Sequence, residues 1–323
     1  YLIWLIQVMV KIADAYALTK SVETIKIVHR IGSFALLIII IACIKFNLTI
    51  FYFYQLLISF IFIVFSFIIL VNRGIINKSL LKKLPFRNLC REFTEFITPL
   101  FAYNVLAGLI GVFDLWLLQE YFGSAETGYY GLAFQIAAMC FIFTSAMTPV
   151  ITREFAKSYA EKDIPAMGRL FSRYIPMLYS IASFLGIFIT FHSSALISVI
   201  SGEGFASALG VVAVMGFYPI HQTYGQLSGS IFYATGKTRQ FKNIGVAFLS
   251  FGMFFSVIFL LILKWGATGL ALKTVLTQIL GVNIQLYYNC RDLNLKFSDF
   301  IKHQFSSILF FAFLAYLTSF VTF

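Results

Sequence analysis

Long apolar runs separated by short basic stretches organise this chain from its first residue onward. A lipid hydrocarbon core of about 30 Å takes roughly 20 apolar residues per helix, because only a helix satisfies its own backbone hydrogen bonds within one segment there. Measured by that ruler, the pattern predicts ten segments, at 1–10 (partial), 31–44, 48–71, 96–118, 129–151, 174–192, 207–234, 244–263, 266–288 and 304–323. The stretch 31–71 is too long for one crossing, and Lys45, Phe46 and Asn47 supply the polar turn that makes it a hairpin. The expected fold class is all-α, a polytopic transmembrane helix bundle.

Composition sharpens this by exclusion. With 60% hydrophobic and 11% charged residues, the chain lacks the charge a soluble surface needs. The net charge of +11 raises the question of nucleic acid, and the placement of the charges answers it. Of the 24 Lys and Arg, 21 fall in alternate loops, at 11–30, 72–95, 152–173, 235–243 and 289–303. The positive-inside rule assigns those loops to the cytoplasm, so the excess is a topology signal and no nucleic-acid partner is expected. The opposite-side loops, 45–47, 119–128, 193–206 and 264–268, are short. A polymerase or ligase of surface polysaccharide needs a larger outer loop for its catalytic site, so the architecture favours a transporter over an enzyme.

Chemistry-bearing motifs are sparse. Cys43 and Cys140 lie in apolar runs and Cys90 and Cys290 in basic loops, without a CxxC or an adjacent His, so neither a disulfide nor a metal is indicated. No phosphate-binding glycine loop, zinc-protease motif or nucleophile elbow occurs, and no cofactor is expected. Tyr1 already stands in an apolar run with no Met or basic flank, so no signal peptide can be argued and the first helices are expected to be missing.

Two places share a pattern at the same spacing: Glu23-Thr24-Ile25-Lys26 leading to Ile31-Gly32, and Gly236-Lys237-Thr238-Arg239 leading to Ile244-Gly245. Both follow a span entering the basic side and precede one leaving it, as parallel repeats about an axis along the membrane normal would. Any basic turn between two spans offers the simpler explanation. The repeat implies two lobes: 1–71 as the remainder of an N-terminal lobe, 72–95 as the cytoplasmic connection, 96–288 as a C-terminal lobe, and 289–323 as an additional helix.

Ionisable residues at bilayer depth cost about 2.5–3.5 kcal/mol on insertion scales, so they imply a function or a partner. Asp114 and Lys273 both fall in the outer half of their spans. Similar depth allows an ion pair, or a shared water-filled cavity in which Lys273 meets an anionic substrate and Asp114 a proton or sodium ion. The span 207–234 carries Pro219, His221, Gln222, Gln226 and a Gly225-xxx-Gly229 spacing. Pro219 frees a backbone carbonyl and should bend the span, giving a hinge with His221 and Gln222 beside it. Small-residue spacing and membrane glutamines also serve plain helix packing.

The stretch Thr98-Pro99-Leu100 through Asp114 to Gly123, then Thr127-Gly128-Tyr129-Tyr130, Pro149 with Arg153-Glu154-Phe155, Gly202-Glu203-Gly204-Phe205, and Gly266-Ala267-Thr268-Gly269 resembles, in order, the polysaccharide (O-antigen type) flippases of the multidrug, oligosaccharidyl-lipid and polysaccharide exporter superfamily. The resemblance covers most of the chain. It implies two lobes working by alternating access, a bacterial cytoplasmic membrane, and an undecaprenyl-pyrophosphate-linked oligosaccharide as cargo. Membrane lipids and polysaccharide assembly enzymes are the further partners it suggests, with proton or sodium coupling open. A pyrophosphate needs cations, for which Arg30, Arg153 and Lys273 are the candidates, although the arginines also suit ordinary positive-inside anchoring. A cation-coupled multidrug exporter of the same superfamily is the alternative, and a polysaccharide polymerase a more distant one.

Overall fold

The computed structural model describes residues 2–43, 47–75 and 85–319, without the side chains of Ile3, Thr19 and Glu203. Twelve α-helices and no strand occur among the described residues. They are α1 (Leu2–Ala15), α2 (Thr19–Cys43), α3 (Leu48–Asn72), α4 (Phe86–Met139), α5 (Ile142–Ala160), α6 (Ile164–Phe191), α7 (Ser193–Ile200), α8 (Leu209–Met215), α9 (Tyr218–Ala234), α10 (Thr238–Ser256), α11 (Gly266–Asp292) and α12 (Phe297–Ser319). Seven are long and apolar enough to cross a membrane, or eight crossings if the pair around α8 and α9, bent by 42°, is one span. The all-α, multi-pass fold class stands.

The chain divides into two compact units, Tyr1–Cys90 and Arg91–Phe323. In the first, α3 packs on α1 and α2 around Val10, Ala13, Val22, Phe62 and Leu70. Asn47 caps α3 by accepting a hydrogen bond from Ile50 N at 2.9 Å. The rest of the expected 45–47 turn lies outside the described residues, as do positions 76–84 of the expected 72–95 loop and the last four residues. In the second unit, α9 lies against α5, α6 and α11, and α12 lies along α6. One core joins α5, α6, α9, α11 and α12 through Phe155, Phe171, Tyr179, Tyr224 and Leu286, and a second joins α4, α8 and α11 through Leu118, Ala137, Val212 and Ala271.

Several expected boundaries are corrected. The loop at 119–128 is helical except for Gly123, whose φ of 85° and ψ of −179° only glycine adopts readily. A helix of 54 residues is roughly 80 Å long at 1.5 Å per residue, so this break divides an element too long for one straight crossing. The expected span 129–151 is interrupted at Cys140–Phe141 and resumes as α5, which runs to residue 160. The basic stretch 11–30 is helical but for three residues, Tyr16 to Leu18, and 152–173 is helical but for three residues, Glu161 to Asp163. Most of 193–206 is α7 and a 3₁₀ turn, Glu203–Ala208. Hydropathy marks only the part of a helix in lipid, whereas the backbone bonds continue wherever polar side chains solvate the end.

Candidate functional site

Asp114 sits on α4 in a stripe with Ile110, Leu117 and Leu118, all buried, at the spacing that puts residues on one helical face. The same periodicity that packs α4 carries a carboxylate inward. Lys273 comes from α11, a helix largely enclosed by its neighbours, and forms a direct ion pair with Asp114 Oδ2. Asp114 is 5% exposed and Lys273 9%. The carboxylate's other oxygen, Oδ1, accepts a hydrogen bond from Ser256 Oγ at 2.6 Å. Gly252 O, one turn back on α10, lies 3.1 Å from the same hydroxyl and competes for its single proton. Gly252 makes room for the lysine stem, since a Cβ there would stand 3.3 Å from Lys273 Cε.

Three helices thus close on one buried charge pair. Immediately beyond Ser256, residues Val257–Ile262 form a π-helical segment, closed by Leu263 N donating to Ile258 O at 2.8 Å. Such wide turns in membrane helices occur mostly as local distortions beside functional groups. One residue beyond Lys273, Thr274 Oγ1 lies 3.1 Å from the Tyr130 hydroxyl, tying the second half of α4 to α11. At the head of α11, Glu126 Oε2 accepts from Ala267 N at 2.7 Å and so occupies the positive end of the helix.

The remaining sequence candidates separate from this cluster. His221 and Gln222 lie on α9, His221 buried at 4% exposure and Gln222 accepting a hydrogen bond from Gln278 of α11. A Cβ on Gly225 would stand 2.9 Å from Val282 Cγ2, so that glycine permits the close α9–α11 approach the amide pair spans. Arg153 lies within α5 and pairs with its neighbour Glu154 at 3.2 Å. Arg30 is exposed in the middle of α2, in the other unit. Neither arginine stands at a helix end, contrary to the sequence expectation, because both helices extend well past their apolar runs.

Pro219 is the second residue of α9, and the break falls just before it, at Gly216 and Phe217. Phe217 N bonds to Val214 O, which frees Ala213 O, and Thr190 Oγ1 of α6 donates to that carbonyl at 2.9 Å. Gly186 and Gly216 face each other there with no space for a Cβ on either. The bend is therefore held from α6, at a break that directly precedes Pro219.

The sequence did not single out Ser256 or Thr190, and marked Tyr130 only as part of the Thr127-Gly128-Tyr129-Tyr130 motif. A lone hydroxyl in an apolar run bonds its own helix as readily as another, so nothing local marks it. Within the first unit, α2 and α3 enclose an apolar groove of about 490 Å³ lined by Val28, His29, Leu36, Ile58 and Phe65.

No protein-family profile and no curated protein matches the chain. Solved structures do. The chain superposes on a multidrug resistance MATE family transporter of the MOP superfamily in its outward-facing conformation, with a TM-score of 0.66 and 13% identity over 75% of this chain and 55% of that one. A MOP superfamily transporter from Pyrococcus furiosus matches with the same score, identity and coverage. A MATE transporter in the straight conformation gives 0.65 and 14%, again over 75% and 55%.

The fold is that of the MATE transporters.

The chain spans about half the length of these structures, 55% of each. They are transporters rather than enzymes, and two of them are of the MOP superfamily, which the sequence motifs resemble.

Proposed function

We propose that this chain is part of a MOP-superfamily transporter of the bacterial cytoplasmic membrane that moves an undecaprenyl-pyrophosphate-linked oligosaccharide from the inner to the outer leaflet by alternating access. The observation that carries the reading is the buried Asp114–Lys273 pair. A pocket for a cationic drug needs uncompensated negative charge, and here the intramembrane carboxylate is already neutralised by an ammonium group. Lys273 instead offers a cation that an anionic head group can compete for, with Asp114 retained by Ser256 when the pair opens. The Pyrococcus furiosus relative is described as having a binding pocket of reverse polarity that suggests a different function, so pocket charge is a reasonable discriminator on this fold.

The experiment is deletion of the gene in its native host. Lipid-linked oligosaccharide should accumulate in the inner leaflet with loss of surface glycan; an unchanged surface glycan would sink the proposal. The second reading, a cation-coupled drug exporter, draws on the multidrug transporter among the structural matches. It expects raised drug sensitivity in the deletion strain with the glycan intact. In either system Asp114 and Lys273 carry the coupling or substrate role, and Pro219, His221 and Gln222 belong to the bent span that must move.

A further inference from the structure

Away from the ion pair, the second unit holds a group of buried polar atoms around the ring of Tyr179 on α6. The Tyr224 ring stands edge-on to it at 4.5 Å, His303 of α12 at 5.9 Å and His221 at 6.0 Å. Tyr179, Tyr224 and Ser183 are 0% exposed, and His221 is 4% exposed. Ser183 lies one turn from Tyr179 on the same face of α6. Among the described residues, none of the Tyr179 hydroxyl, the Tyr224 hydroxyl, Ser183 Oγ, His221 Nδ1 or His303 Nδ1 has a hydrogen-bond partner. Ser228 Oγ and Asn289 Oδ1 share that condition one turn further along α9, where Asn289 Nδ2 donates to Ser228 O at 2.9 Å.

Buried polar groups in folded proteins are almost always paired, since each one left alone forfeits its full solvation. Seven in one seam, where α6, α9, α11 and α12 meet, is a concentration that apolar packing cannot sustain. The chemistry of the group identifies what meets them. None is a carboxylate, ammonium or guanidinium, so no fixed charge selects an anion or a cation. Hydroxyls both donate and accept, an amide oxygen accepts, and an imidazole nitrogen does one or the other. The complement is small, neutral and able to do both.

We propose that this seam is a built hydration site, in which ordered water bridges Tyr179, Ser183, His221, Tyr224 and His303 and extends to Ser228 and Asn289. Internal waters bind where two to four polar partners are within reach, and the rings of Tyr224, His303 and His221 all stand within 6.0 Å of the Tyr179 ring. The ion pair is a different case, because its charges answer each other directly.

The test is pulsed X-ray hydroxyl-radical labelling of the purified full-length protein in detergent, read residue by residue by mass spectrometry. Radicals form from bound as well as bulk water, so Tyr179 and Tyr224 should be modified at least several-fold faster than Phe155 and Phe232, which are equally buried at 0% exposure. Labelling of both tyrosines at the phenylalanine background would overturn the proposal. A second measurement is independent of radical chemistry. Tyr179→Phe removes a hydroxyl and little else, so it should lower Tm if water is bound to that group. A raised Tm would mean that the hydroxyl was unsatisfied and the seam dry, and the proposal would fall.

Discussion

Replacing Lys273 by Met keeps the length and apolar stem of the side chain and removes its charge. Asp114, 5% exposed, then retains Ser256 as its hydrogen-bond donor and has no cation. Breaking a buried pair from one side costs about 3–5 kcal/mol, because the other charge stays desolvated. Removing both charges, as in Asp114→Leu with Lys273→Met, is expected to be neutral or to stabilise by about 1–4 kcal/mol. At roughly 2–4 °C per kcal/mol for a unit of this size, the single change lowers Tm by on the order of ten degrees and the double change restores it. Cys140 and Cys290 are buried free thiols, so their reaction with a fluorogenic maleimide on heating reports unfolding, once exposed Cys43 and Cys90 are replaced by Ser. Additive single changes, with the double variant the least stable, would refute the reasoning, since coupling between the groups is its whole content. Transport separates stability from function. Once its Tm is restored, the activity of the double variant shows whether the charges serve only each other or the cargo.

Three further outcomes follow from local geometry. Gly123→Ala meets no atom within 4 Å yet forces an alanine to a φ of 85°, and should cost about 1–3 kcal/mol, seen as a lower Tm without a packing defect. Glu126→Ala uncovers the α11 N-terminus at Ala267 N and should cost about 1 kcal/mol, while Glu126→Gln, which keeps an accepting oxygen, should lose less. Thr190→Val leaves Ala213 O without its side-chain donor at the bend, with an expected loss of about 1–3 kcal/mol and faster amide exchange from 213 to 218 than in the parent.

The apolar runs and the charge between them were enough for an all-α, multi-pass reading, because lipid leaves a chain so few ways to satisfy its backbone. They also put Asp114 and Lys273 at similar depth, since depth follows from counting residues along a span. Helix ends were less legible: Arg30 and Arg153, expected at helix ends, lie inside α2 and α5, where solvated side chains carry the helix beyond the lipid.

What the sequence by itself determined is therefore one-dimensional: that the chain crosses lipid repeatedly, which stretches are basic, which residues are out of place in a membrane; its ten expected segments stand against seven helices of membrane length, or eight, among the described residues. Only the tertiary structure decided which of those residues meet. Whether Asp114 faces Lys273 or a cavity depends on the rotation of α4 and α11 about their axes, and that is set by packing of residues far apart in the chain, such as Gly252 against the lysine stem. The partnership of Ser256 with Asp114, 142 positions away, depends on it equally. Hydropathy records the cost of a residue in lipid and carries no term for what stands opposite it, so these contacts appear only when the helices are packed.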